Sequence, residues 1–259
     1  MNQNPDLSQL FQNAQQDGTL SAQAAQALSV VDIGAQIQAG LGTPVDDVQS
    51  SDVMLMTMMP DDSGSIRFGN NVKAVRDGHN LVLDALTASK QKDSILVHTR
   101  YLNGFVLYPY RPVSQAVRMD TKNYYPKLGT PLYDQSIVLL GTVLAKTQQF
   151  ADNGVNVRSV TLLITDGADG GSKATAKSVA QIARDMLKTE QHIIAAMGID
   201  DGSTCFKKVF QDMGIRDEWI LTPANRETEI RKAFQVISQS AAQASQTAQQ
   251  FSKMAGFLN

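Results

Sequence analysis

The chain has 259 residues, 42% of them hydrophobic, and a formal net charge of −2. That length buries one substantial core with residues left over for an appendage, and the near-neutral balance, without a dense Lys or Arg run, disfavours nucleic acid, whose affinity comes mainly from phosphate neutralisation. The longest apolar run, VMLMTMM at 53–59, fits a buried strand and is too short for a membrane span.

MNQNPDLSQLFQNAQQ has no basic leader ahead of an apolar segment, and Cys205 is the single cysteine, so no internal disulfide forms and a cytoplasmic protein is expected. Residues 1–50, rich in Gln and Ala, carry helical patterns near 5–16, 21–29 and 30–40. They read as a helical extension that packs on the main domain or frays, or else as a docking surface for a partner. Residues 51–240 alternate strands and helices. Strands are expected at 52–59, 93–101, 104–109, 157–164, 192–199 and 218–222. After the first, Val72, Val75, His79, Val82, Leu83 and Leu86 recur at helical spacing. Further helices are expected at 132–148, 173–188 and 203–213, and a last one through 237–259, anchored sparsely by Phe251, Met254 and Phe257; residues 241–259 are a helical tail. Such alternation predicts an α/β fold, a mostly parallel six-stranded sheet covered on both faces.

One connection departs from this pattern. VHTRYL and FVLYPY are separated by Asn103 and Gly104, the pair suited to a type I′ hairpin turn, so the third strand should run antiparallel at a sheet edge, where Pro109 and Pro112 limit its pairing. With a doubly wound order of 3-2-1-4-5-6, the first and fourth strands meet where the winding reverses. Ligands of open α/β sheets bind in that crevice, beyond the carboxyl ends of the strands.

The residues expected there carry oxygen. MMPDDSGSIRF sets Asp61, Ser63 and Ser65 at DxSxS spacing after the first strand; LLITDGADGG puts Asp166 after the fourth; PKLGTPLYD offers Thr130 between them. Each has an ordinary reading alone: Ser65 as a helix cap, Thr130 as a cap ahead of Pro131, Asp166 with Gly167 as a turn. Together they offer hydroxyls and carboxylates on loops at one end of a sheet, which suits Mg²⁺. With no His or Cys in the set, zinc and copper are disfavoured.

These segments resemble the von Willebrand factor A domain, and DDSGS, LGTPLYD and ITDGAD are similar to that family's metal-ion-dependent adhesion site. The resemblance covers about 51–240. It implies that Ser63 and Ser65 bind the cation directly and that Asp61, Thr130 and Asp166 complete the site directly or through water. It further implies a non-enzymatic protein-interaction module: Mg²⁺, or alternatively Ca²⁺ or Mn²⁺, accepts an Asp or Glu from a partner protein. Compartment clues favour an intracellular bacterial adaptor, of the kind that works with AAA+ ATPases in stress-resistance or conflict systems, over an extracellular adhesion protein. Asp62, at the motif's variable position, adds a carboxylate of unassigned purpose.

Other titratable residues have structural readings. Asp169, Asp200 and Asp201 fit solvated loops, or a second ion; His79, His98 and His192 fit core packing or capping; Cys205 fits a small buried apolar position; Arg67 snorkels outward or pairs with Asp62. A Mg-dependent phosphohydrolase is the competing class. It lacks a base positioned near either serine and the DxD pattern of aspartyl phosphohydrolases, while a dinucleotide site would need a GxGxxG turn.

Overall fold

A computed structural model of the chain describes residues 6–68, 70–246, 251 and 253–258. Six strands form one sheet: β1 (Asp52–Pro60), β2 (Ile95–Arg100), β3 (Val106–Pro112), β4 (Asn156–Thr165), β5 (His192–Gly198) and β6 (Ile220–Leu221), in the order β3-β2-β1-β4-β5-β6. Every neighbouring pair is parallel except β2 and β3. Central β1 reads DVMLMTMMP with all but Asp52 buried, and β5 is buried throughout. Such unbroken apolar runs belong to strands covered on both faces.

Three helices precede the sheet: α1 (Leu7–Gln16), α2 (Ala22–Leu28) and α3 (Val31–Gln38). Those that cover it are α4 (Asn71–Thr87), α5 (Leu132–Ala151), α6 (Ala176–Lys188), α7 (Phe206–Asp212) and α8 (Glu227–Gln246). α4 packs against α8, and a Cβ on Gly78 of α4 would stand 2.1 Å from the Phe234 ring of α8, so glycine is what lets the two helices approach. α5 and α6 pack on each other, and α1–α3 lie on them. Phe11, Leu28 and Ile37 enter the main core, and Ser21, capping α2, donates from both N and Oγ to Asp185 of α6 at 2.9 and 2.7 Å.

The hairpin departs from the expected type I′ turn. Gly104 donates to Tyr101 O at 2.8 Å, Tyr101 donates to Phe105 O at 2.8 Å, and only Gly104 of the pair takes positive φ, at +90°. The loop is therefore three residues with a left-handed glycine at its end. β3 also runs further than the prolines suggested: it pairs with β2 as far as Pro112, with its register shifting between Val97 and Thr99 opposite Pro109 and Tyr110. Its outer edge is not bare, because Thr43 donates to Tyr110 O and Tyr110 to Gly40 O, covering groups that would otherwise invite another strand.

α8 begins at Glu227, ten residues ahead of the expected last helix, and has Ile230, Ala233, Phe234, Ile237, Ala241 and Ala244 among its buried residues. Of the tail anchors, Phe251 is buried and Met254 and Phe257 are partly buried on the core. Residues 253–258 are not helical as expected, because their backbone turns to pair with the domain: Phe257 N donates to Glu218 O and Leu258 N to Ser240 Oγ, both at 3.0 Å; residues 247–250, 252 and 259 lie outside the described residues.

Candidate metal centre

The site is built where β1 and β4 end side by side, in register as far as Pro60 and Ile164. Asp61 is fully buried there and works as the hub of two loops. Its Oδ1 accepts the Ser63 amide at 2.6 Å, while Oδ2 accepts the Thr165 hydroxyl at 2.6 Å and the Asp166 amide at 3.4 Å. The Tyr124 hydroxyl donates to Asp61 O. The Ser63 and Ser65 hydroxyls are 2.8 Å apart, and Ser65 Oγ donates to Asp166 Oδ1 at 2.7 Å. Ser63 is buried, Ser65 and Thr130 half-buried, so the floor is closed and the mouth open. Thr130 joins from a third loop: a Cβ built on Gly167 would lie 3.7 Å from Thr130 Oγ1 and 3.8 Å from Ser65 Oγ, so both hydroxyls border one small space. All five candidate residues therefore converge.

The loop of Thr130 is held by backbone. Gly64 N donates to Leu128 O at 2.9 Å, Lys127 N to Asp62 O at 2.9 Å, and Gly170 N to Thr130 O at 2.7 Å. Thr130 is not a cap, since Pro131 occupies the position before α5 and no side chain caps it locally. The first-turn amides go instead to the loop after β4: Tyr133 N donates to Asp169 Oδ1 and Ser172 Oγ, both at 3.1 Å, and Asp134 N to Ser172 Oγ at 3.1 Å. Asp169, expected as a solvated or second-ion residue, thus satisfies one helix-end donor of α5 and holds the Ser172 hydroxyl that satisfies another. Asp200 and Asp201 accept amides of their own turn.

Asp62 also has a defined position. Its Oδ1 accepts both Asn103 N at 2.9 Å and Asn103 Nδ2 at 2.7 Å, and Nδ2 donates further to Gly129 O at 2.9 Å. The hairpin loop, the DxSxS loop and the Thr130 loop are thereby joined. Arg67 does not pair with Asp62; its Nε donates to Pro126 O and its guanidinium lies 5.8 Å from the Tyr125 ring centroid. Cys205 is exposed rather than buried, immediately ahead of α7.

Burial raises the Asp61 carboxyl against the pull of hydrogen bonds from Ser63 and Thr165, and raises Asp62 against those from Asn103. Asp166 is pushed up to about 6, by burial first and then by the charges of Asp61 and Asp201. Among the described residues no Lys, Arg or His forms an ion pair with any of the three. Nor do three or more His, Cys, Asp or Glu gather there as a metal cluster. A site of hydroxyls beside uncompensated buried carboxylates fits a hard divalent cation and does not fit zinc or copper. Sequence reasoning missed Thr165, Tyr124 and Asn103. Thr165 left a faint trace, a polar residue closing an apolar strand just before Asp166; Asn103 was visible only as a turn former.

The sheet order, the antiparallel edge strand and the placement of the DxSxS loop define a von Willebrand factor A-like fold. Neither a protein-family model nor a curated protein matches the chain. Among solved structures, the pilus adhesin SpaC from Lactobacillus rhamnosus GG is similar over 74% of this chain and 31% of its own, at 13% identity and a TM-score of 0.54. The chain thus spans about a third of the adhesin's length. A von Willebrand factor type A protein from Catenulispora acidiphila is similar over 74% of this chain and 43% of its own, at 15% identity and a TM-score of 0.48. The manganese-loaded Plasmodium vivax TRAP protein is similar over 71% and 74%, at 17% identity and a TM-score of 0.44. At 13% identity the likeness to the adhesin is one of fold.

Proposed function

We propose that the chain is a divalent-cation-dependent protein-interaction module, with Asp61, Ser63, Ser65, Thr130 and Asp166 holding Mg²⁺, or Ca²⁺ or Mn²⁺ in its place. The observation that carries this reading is the convergence of three hydroxyls and two buried carboxylates, with no cationic side chain among the described residues paired to them. When bound, the cation supplies positive charge and a coordination position that a foreign Asp or Glu fills. The protein's own part is preorganisation. Asp61 fixes the Ser63 amide and, through Thr165 and the Asp166 amide, ties the second loop to the first. Ser63, Ser65 and Thr130 contribute neutral oxygen, so charge is left for a partner carboxylate, and the half-buried mouth admits it. Cation and partner should then bind cooperatively.

An adaptor without catalysis is favoured because the histidines are occupied elsewhere: His79 with Thr99, His98 with Tyr108 O and His192 with Ser159. A phosphohydrolase would need one of them, or another base, beside Ser63. The exposed thiol of Cys205 suits a reducing compartment, which supports a cytoplasmic setting and, through the family resemblance, an AAA+ ATPase as the kind of partner. Among the described residues no helix is long and apolar enough to cross a membrane. The test is capture of interactors from the native host with Mg²⁺, with EDTA, and with Asp61→Ala. A partner retained only by the unmodified protein in Mg²⁺ is expected; equal retention in EDTA overturns the reading, as does Mg²⁺-dependent phosphatase turnover abolished by Asp166→Ala.

A further inference from the structure

Large apolar side chains in the open are concentrated around the candidate centre. Phe68, Phe105, Tyr125 and Leu128 are 73, 61, 70 and 53% exposed, and Val30 alone lies elsewhere among the strongly exposed large hydrophobics of the described residues. Each is tied to the site by its own loop. Phe68 N donates to Ser65 O at 3.0 Å, Leu128 bridges to Ser63, and Tyr125 follows the tyrosine that donates to Asp61 O. Phe105 closes the hairpin loop whose Asn103 holds Asp62, and stacks on Tyr101 with ring centroids 5.8 Å apart.

These three loops are pinned to one another by the Asp62, Asn103 and Leu128 hydrogen bonds, so the apolar groups are displayed on fixed backbone. Rigid exposed aromatics bind at low entropic cost and are enriched at interface centres. The rim is also polarised. Exposed Arg67 and Lys127 stand beside Phe68 and Leu128, whereas exposed Asp200 and Asp201 follow β5, on the Asp166 side.

We propose that the half of the rim made by Phe68, Phe105, Tyr125 and Leu128 docks a protein segment whose Asp or Glu is flanked by apolar or aromatic residues. The basic side chains among these apolar groups attract an acidic segment, and the acidic loops opposite repel it, so charge complementarity directs it across this half. The inference rests on the metal-dependent reading above and adds the chemistry of the partner.

The test is selection of random linear displayed peptides on the full chain at millimolar Mg²⁺, followed by affinity measurement of the enriched peptides against Phe68→Ser, Tyr125→Ser and the unmodified protein. Enrichment of an acidic residue with apolar flanks is expected, with binding at least about tenfold weaker to either variant while each keeps its Mg²⁺ affinity. Acidic peptides without apolar flanks, or binding indifferent to both substitutions, would overturn the proposal while leaving metal-dependent recognition intact. Binding unaffected by EDTA would instead remove the reading beneath it, and no enrichment at all counts against both. Self-association that Phe68→Ser abolishes, seen by sedimentation, would assign the surface to a second copy and overturn a foreign partner.

Discussion

Asp62 illustrates what a motif hides. At the variable position of DxSxS it looks like a spare ligand, yet its carboxylate receives two donors from Asn103 and its carbonyl receives Lys127 N. Asn103→Ala removes the side-chain bonds to Asp62 and Gly129 and leaves a buried carboxylate short of a partner. A loss of about 1–3 kcal/mol in urea denaturation is expected, together with weaker cation binding, although no candidate ligand is touched. The histidines make a second prediction. Burial lowers His79 and His192 to about 4 and His98 to about 3, from an ordinary 6.5. A depressed imidazole contributes stability that is fully present above pH 6.5 and is lost as pH falls through the folded values. Imidazole resonances followed by NMR should stay neutral from pH 8 to about 5, with protonation arriving together with unfolding; titration of any of the three near 6.5 in the folded state would contradict this burial.

At the scale of elements, the N-terminal helices are where packing says more than pattern. Their Phe11, Leu28 and Ile37, with Leu20 and Leu41 of the turns after α1 and α3, are buried in the main core, Gln36 hydrogen-bonds to buried Arg100 of β2, and residues 40–43 cover the outer edge of β3. Deleting residues 1–45 exposes the facing surfaces of α5 and α6 and an unpaired strand edge. Sedimentation velocity should then show self-association, and the unfolding midpoint should fall; a monomer of unchanged stability would contradict the packing.

The strands and α4 were legible because their periods are strong: buried parallel strands read as apolar runs, and α4 shows a clean stripe. The antiparallel edge strand followed from the Asn103–Gly104 hairpin, although the turn took three residues, because Asn103 is drawn into contact with Asp62 and only the glycine needs positive φ. The start of α8 was missed because Glu227, Glu229, Arg231 and Lys232 dilute its first turns, and the apolar face appears only against α4. The five candidate residues could be named from the DxSxS spacing and from the loops expected beside it. Their supports could not, since Thr165, Tyr124 and Asn103 act through contacts between loops distant in sequence.

At the scale of the molecule, the doubly wound sheet brings two buried carboxylates and three hydroxyls to the end of β1 and β4, and the apolar display of Phe68, Phe105, Tyr125 and Leu128 surrounds them. Burial is what raises Asp61 and Asp166, and among the described residues no cationic side chain forms an ion pair with either. The most direct test is calorimetric titration of Mn²⁺ and Mg²⁺ into chelator-treated protein near pH 7.5, beside Asp61→Ala and Ser65→Ala, with circular dichroism to establish that each variant is folded. One cation per chain is the expected result, with affinity lost in both folded variants; no binding, or binding of equal strength in Asp61→Ala, would contradict the metal centre.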